Sequence, residues 1–255
     1  MSMYPHERHQ SILERARAAG RVDVGTLAAE LEVTAETIRR DLTTLERHGV
    51  LRRVHGGAIP VERLGFEPGL ATRAGVLTAE KERMAKAALR YVPNEGTVLL
   101  DAGTSTAALA DTFPTDHRLT VVTNALPIAM TLSARPNVTL MLLGGRVRGH
   151  TLAGVEDWAL RNLAECFVDV AFLGANGVSV ERGLTTPDPS EAATKRAMIG
   201  AARQVVVLAD HTKIATDHFA RFGRLEDVDV LITDSGADPE LAGQIEAAGP
   251  AVMCA

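Results

Sequence analysis

The chain has 255 residues, 46% of them hydrophobic and 23% charged, which suits one small module plus one well-buried domain and excludes disorder as the main state. No run approaches the roughly 18 apolar residues of a membrane helix. The first ten residues lack the apolar core of a signal peptide, and Cys166 and Cys254 stand in no metal-ligand or disulfide pattern, so a reducing cytoplasm fits. The net charge of −5 is uneven: residues 1–60 hold nine Arg and eight acidic residues, for +1, and the remainder carries −6.

Three short helical patterns come first. Ile12, Leu13 and Ala16 stripe a segment that Gly20 closes, and Leu27, Ala28 and Leu31 mark a second, which Asp23 can cap. Thr34 is the N-cap candidate of a third, with Ile38, Leu42 and Leu45 at i, i+4 and i+7, ending at Gly49. Val50 to Val54 then runs into His55-Gly56-Gly57-Ala58, a glycine turn between two short strands. Three helices and a hairpin predict a winged helix-turn-helix over residues 1–58. Pro60, Gly65, Pro68, Gly69 and Gly75 break any period over 59–77, which reads as a linker.

From 78 to 255 apolar strands and helical patterns alternate. The strands are Thr97–Leu100, Leu119–Val122, Val138–Leu143, Val170–Leu173, Val205–Leu208, Val228–Ile232 and Ala251–Met253. The helices are Ser105–Thr112, Pro127–Ser133, Val155–Glu165, Pro189–Ala202 and Pro239–Ala248. Short runs buried on both faces between helices predict an α/β domain with a doubly wound, mostly parallel sheet.

On the third helix the apolar stripe leaves Glu36, Arg40, Thr43 and Arg47 opposite, flanked by Thr37 and Arg39. Such charges often mark only a solvated face. Here the helix is second in a tight helix-turn-helix and an arginine-rich hairpin follows, so the pattern points to double-stranded DNA. Arg pairs with guanine, and Thr meets phosphate or the thymine methyl. Arg52, Arg53 and His55 in the wing would meet the backbone.

Thr37-Ile38-Arg39-Arg40-Asp41-Leu42, then Leu45, Gly49, Leu51, Arg53 and His55-Gly56-Gly57-Ala58, resembles the DNA-binding signature of the DeoR family of bacterial regulators. The resemblance implies that the helix bearing Thr37, Arg39 and Arg40 enters the groove. Asp41 would hold a neighbouring Arg, since phosphates repel a carboxylate.

Asp101-Ala102-Gly103-Thr104-Ser105-Thr106 follows an apolar strand and opens a helix, where unpaired N–H groups, a glycine and three hydroxyls can cradle a phosphate. The alternative is a plain turn with Thr104 as cap. Neither a Walker nor a dinucleotide fingerprint occurs, so nucleoside triphosphates and dinucleotides are disfavoured. Further polar or glycine-rich loops follow strands at Thr123-Asn124, Gly144-Gly145-Arg146, Gly174-Ala175-Asn176-Gly177 and Asp210-His211-Thr212-Lys213, where open α/β sheets bind ligands. Glu191 and Lys195, at i and i+4, are either pocket residues or a surface ion pair. Only Asp210, His211 and His218 gather locally among possible metal ligands, so neither a metal nor a cofactor is expected.

This half is also similar to the DeoR-type sensor domain, which implies a fold like ribose-5-phosphate isomerase and the coenzyme A transferases, with phosphorylated sugars or polyols as effectors. Carried over, the resemblance puts Gly103, Thr104, Ser105 and Thr106 on the phosphate and Asp101, Asn124, Gly145, Glu191 and Lys213 around the sugar. Fructose 1-phosphate is one candidate it suggests. Family members usually show Gly-Ala-Asp-Gly where this chain has Gly174-Ala175-Asn176-Gly177, which puts hydroxyl recognition there in question. The resulting expectation is a cytoplasmic, homodimeric or homotetrameric repressor without catalysis. Its rival is a sugar-phosphate isomerase with an added DNA-binding module.

Overall fold

The computed structural model describes residues 4–19, 21–60 and 67–255, so the expected roles of Gly20 and Gly65 lie outside the described residues. The chain divides into two compact units, Met1–Pro68 and Gly69–Ala255.

In the first unit, helices α1 (Pro5–Ala19), α2 (Val24–Glu30) and α3 (Ala35–Arg47) pack with strands β1 (Val22–Asp23), β2 (Leu51–Val54) and β3 (Gly57–Pro60). The caps are those the sequence suggests. The Asp23 carboxylate accepts from Gly25 N at 2.8 Å and Thr26 N at 3.2 Å, and Thr34 Oγ1 accepts from Thr37 N at 3.2 Å. Gly49 ends α3 in the left-handed region at φ +71°, which costs a glycine least. Ile38, Leu42 and Leu45 face a core completed by Ile12, Leu27 and Leu51. The sheet order is β1-β3-β2, and a Cβ on Gly57 would lie 2.0 Å from Val22 O, so only glycine lets β1 and β3 meet.

The second unit begins with α4 (Leu70–Ala74) and α5 (Thr78–Ala88). There follow β4 (Glu95–Leu100), α6 (Thr104–Asp111), β5 (Arg118–Thr123), α7 (Leu126–Ser133), β6 (Val138–Leu142), the hairpin β7 (Arg146–Arg148) and β8 (Ala153–Val155), and α8 (Asp157–Ala164). The chain continues through β9 (Val168–Gly174), β10 (Gly177–Ser179), β11 (Gly183–Thr186), α9 (Pro189–Gly200), β12 (Ala202–Leu208) and β13 (Ala220–Gly223). It closes with β14 (Val230–Thr233), α10 (Pro239–Ala247) and β15 (Ala251–Cys254). The seven expected strands form one parallel sheet in the order β15-β14-β12-β9-β4-β5-β6.

Alternation within each strand covers both faces. Val98 and Leu100 join Met84, Leu109 and Ile128 beneath α5, α6 and α7, whereas Leu99 turns to the other side with Leu163, Met198 and Ile245 of α8, α9 and α10. The order reverses at β4, with β5 and β6 on one side and β9, β12, β14 and β15 on the other. This switch point falls between the carboxyl ends of β4 and β9, the place where open α/β sheets bind ligands.

Three things differ from the sequence expectation. Residues 70–74 and 78–88 are helical, where no separate helix is anticipated. Val155 belongs to β8, and Glu156 at φ +74° turns the chain before α8 begins at Asp157. Short antiparallel pieces, β7-β8 and β10-β11-β13, lie outside the main sheet.

Candidate functional site

Burial of the Ile38, Leu42 and Leu45 stripe turns the arginines of α3 outward: the Arg40 side chain is 82% exposed and that of Arg39 54%. Glu36 sits 3.5 Å from Arg39 Nη1 and 3.7 Å from Arg40 Nε, long surface pairs that stabilise little and release readily. Arg39, Arg40, Thr43 and Arg47, with Arg53 from β2, line a shallow depression of about 390 Å³. Guanidinium groups around one concavity make a surface for an anionic backbone and for base edges.

Not every expected contact residue keeps free donors. Thr43 Oγ1 donates to Arg39 O at 2.8 Å and accepts from Arg53 Nη1 at 3.2 Å. Thr37 Oγ1 lies 2.9 Å from Thr34 Oγ1 at the helix start. Arg53, which has no evident partner in its own segment, thus finds one across the unit, and its backbone N–H donates to Glu46 Oε1 at 2.8 Å. Arg52 and His55 are exposed on the hairpin. The arginine that Asp41 holds is Arg8 of α1, through Nε at 2.5 Å and Nη2 at 3.1 Å, with His9 Nε2 at 2.9 Å. A buried carboxylate therefore fixes α1 on α3 without facing the groove.

Arg40→Ala is expected to cost about 1–3 kcal/mol of specific DNA binding with the fold intact. Changing Arg52 and Arg53 together to Gln should instead weaken specific and random DNA alike, and flatten the log-affinity against log-salt slope by roughly one to two. Anisotropy titrations at several salt concentrations separate the two. An unchanged affinity in Arg40→Ala removes α3 from the reading role; a wing defect confined to one base pair makes the wing a sequence reader.

In the second unit, a buried polar cluster is organised around Asp101, at the end of β4. Lys195 Nζ of α9 donates to Asp101 Oδ2 and, at 2.9 Å, to Gly174 O, while Gly174 N–H donates to the same carboxylate at 3.0 Å. The ammonium lies 5.3 Å from the centroid of the Phe222 ring. Asn124 fixes its amide by accepting from Ala102 N at 3.1 Å and donating to Gly154 O at 3.1 Å. Glu191 accepts from the Thr151 hydroxyl and from Arg148 Nη1 at 3.1 Å, and Arg148 Nε meets Asp188 Oδ2 at 3.1 Å. Lys195 therefore pairs with Asp101 and not with Glu191, its neighbour one turn away.

The start of α6 carries no side-chain cap: Gly103 is the N-cap, and the first intrahelical acceptor is Gly103 O, from Ala107 N at 3.0 Å. Thr104 does not cap the helix. Gly103 and Thr104 line a cavity of about 450 Å³ together with Ala74, Lys81 and Thr151. Ser105 and Thr106 are buried behind it, and the Thr106 hydroxyl donates to Gly103 O at 3.0 Å. Asp101, Asn124, Glu191 and Lys213 do not line this cavity; Thr151 links it to Glu191, and Ala125 follows Asn124 at its wall. Gly145 is a packing position: a Cβ there would lie 2.4 Å from Val155 O.

Sequence reasoning missed Lys81, Arg148, Thr151 and Asp188. Burial pushes the Lys81 ammonium down to about 8, against the attraction of Asp210 and with the repulsion of Lys213 and Arg73. At the end of β14, burial disfavours ionised Asp234. Hydrogen bonds from His211 N at 2.8 Å, Gly236 N at 2.9 Å and the His211 ring outweigh it and hold the carboxyl below its usual range. Among the described residues, no group of three His, Cys, Asp or Glu gathers to hold a metal.

A winged helix with an arginine-lined outer face, and a doubly wound sheet with a buried polar cluster at its switch point, define a DNA-binding regulator with a sensor domain. Residues 8–63 match the DeoR-like helix-turn-helix domain and residues 77–235 the DeoR C terminal sensor domain, and the chain belongs to the DeoR family of transcriptional regulators. It is 36% identical over 251 residues, 98% of each chain, to the HTH-type transcriptional regulator GlpR of Haloferax volcanii. It is 31% identical to the glycerol-3-phosphate regulon repressor of Escherichia coli K12, over 90% of each chain. Both relatives are named as regulators. Among solved structures, the probable sor operon regulator of Shigella flexneri shares 13% identity over 80% of this chain and 97% of its own, at a TM-score of 0.46. No helix among the described residues is long and apolar enough to cross a membrane.

Proposed function

We propose that the protein is a cytoplasmic repressor of a carbohydrate-utilisation operon, bound to its operator as a homodimer or homotetramer and released by a phosphorylated sugar or polyol. The observation that supports the effector class is the uncapped start of α6 opening on the cavity at Gly103 and Thr104. Free N–H groups there, with the positive end of the helix dipole, favour a phosphate. The family resemblance would put Asp101, Asn124, Glu191 and Lys213 around the sugar, although none of them lines this cavity. One relative is named for glycerol 3-phosphate, a compound of this class. A twofold protein suits a twofold operator, and the effector acts by preferring the arrangement in which the two reading heads no longer match the half-sites.

The isomerase reading is the weaker one. Asn176 stands where the family resemblance implies an aspartate, and its Oδ1 accepts from the Thr186 hydroxyl at 3.0 Å. The Asp101 carboxylate is neutralised by Lys195. The test is a DNA shift on the promoter region adjoining the gene, with a panel including fructose 1-phosphate and glycerol 3-phosphate and their unphosphorylated forms. Release by a phosphorylated compound without its interconversion is expected. DNA affinity indifferent to every compound would defeat the sensor reading.

A further inference from the structure

Lys81 is a buried cation, 6% exposed, on α5. Its Nζ donates to Arg73 O and Val76 O, both at 2.6 Å, and so clasps the turn between α4 and α5. An ammonium has three N–H groups, which leaves one unused. Among the described residues no carboxylate lies within ion-pair distance of Nζ. Asp210 and Glu80 act on it from further away, opposed by Lys213 and Arg73; Glu82, Lys86 and Asp111 stand along the same cavity wall. A buried cation without an acid partner costs stability that two carbonyls repay only in part, since an uncharged donor would bond them as well. Lys81 also lines the cavity that Gly103 and Thr104 open onto.

We infer that Lys81 is a further effector-binding residue, whose third N–H meets the phosphate held at the start of α6 while the other two tie that phosphate to α4. The inference rests on the reading of α6 as the phosphate site. It gives that site a counter-charge, which the N–H groups of α6 alone do not supply. It also gives the site a mechanical connection. The N-terminal end of α4 is held by Leu70 N–H donating to His150 O at 3.1 Å, on the β7-β8 loop that carries Thr151. Both ends of α4 are thus fastened beside the cavity, and α4 is the element that follows the boundary at Pro68 in the chain. A phosphate that draws the ammonium toward α6 is felt first at α4, through the Arg73 and Val76 carbonyls.

The experiment is calorimetry on the full chain with inorganic phosphate as the probe, at constant ionic strength. Lys81→Met should weaken phosphate binding by about ten- to a hundredfold, whereas Lys81→Arg, which keeps the charge, stays within severalfold of the native protein. Both should keep native circular dichroism and DNA binding. A second titration uses sulfate, which does not itself titrate, at pH 8.5 in buffers of different ionisation enthalpy. The native protein should take up a measurable fraction of a proton per site, because an anion restores the charge of an ammonium whose pKa is lowered to about 8. Neither variant should take up any. Phosphate affinity lost in Gly103→Val yet unchanged in Lys81→Met overturns the role of Lys81 and leaves the α6 site standing. Proton uptake that persists in Lys81→Arg overturns it too. No phosphate binding by the native chain overturns the α6 reading itself.

Discussion

Lys195→Met is expected to destabilise the second unit by about 3–5 kcal/mol, a fall in Tm of roughly 10 °C. The side chains of Lys195 and Asp101 are 5% and 2% exposed. Removing the ammonium therefore leaves a carboxylate buried with little beyond the Gly174 N–H at 3.0 Å to satisfy it, and Gly174 O loses its donor. Charge, rather than packing, should dominate. Asp101→Asn in the Lys195→Met background should accordingly recover part of the loss, although each change alone is harmful. Urea melts of the four proteins, followed by circular dichroism, measure this. A loss under about 1 kcal/mol for Lys195→Met, or strict additivity in the double variant, would show that water reaches the carboxylate. The cluster would then be open where the structure closes it.

The main sheet was legible because parallel strands covered on both faces must be apolar throughout. Val98-Leu99-Leu100 and Val205 to Leu208 have no polar face to lose, and turn residues bound them. The small elements were not, since their stability resides in contacts far along the chain. The β7-β8 hairpin depends on Gly145 at φ +128° and on Gly154, where a Cβ would lie 2.9 Å from Leu143 O; neither requirement leaves a period in the sequence. Helix α5 escaped notice because Lys81, a charged residue, stands beside Met84, Ala85 and Ala88 on its buried side. A lysine there interrupts the apolar stripe that would otherwise announce the helix.

The reading helix shows the same division between local and distant information. Its outward face followed from the stripe alone, but the wing contact from Arg53 to Thr43 and the clasp of Asp41 on Arg8 each join residues far apart in sequence. In the second unit, the i, i+4 spacing correctly placed Glu191 and Lys195 on one helix but left their partners open. Those partners, Thr151 and Arg148 for one and Asp101 for the other, come from different strands and loops. Spacing places a side chain on a face; only the topology decides what it meets there.

Gly103→Val should abolish control by the effector while leaving DNA binding intact. Gly103 has φ 174° and ψ 162°, extended backbone that any residue adopts, so the substitution adds no backbone strain. Its Cβ would come 3.1 Å from Thr106 Oγ1, a contact a small shift relieves. What valine is expected to remove is the close approach of a phosphate to the N–H groups of α6, because Gly103 itself lines the cavity. Thr104→Ala deletes one hydroxyl and leaves the N–H groups in place, so it should weaken the effector severalfold, against a hundredfold or more for Gly103→Val. Charge-assisted hydrogen bonds are roughly twice as strong as neutral ones, so an unphosphorylated sugar should likewise bind far more weakly than its phosphate. Since the ligand shifts an equilibrium only by its difference in affinity between two arrangements, both variants should still hold operator DNA and resist release in that order. Calorimetry with matched sugar and sugar-phosphate pairs, alongside DNA release by the same compounds, reads both quantities. Equal affinity for the two members of every pair, or normal release in Gly103→Val, would reduce the segment from Asp101 to Thr106 to a turn between a strand and a helix.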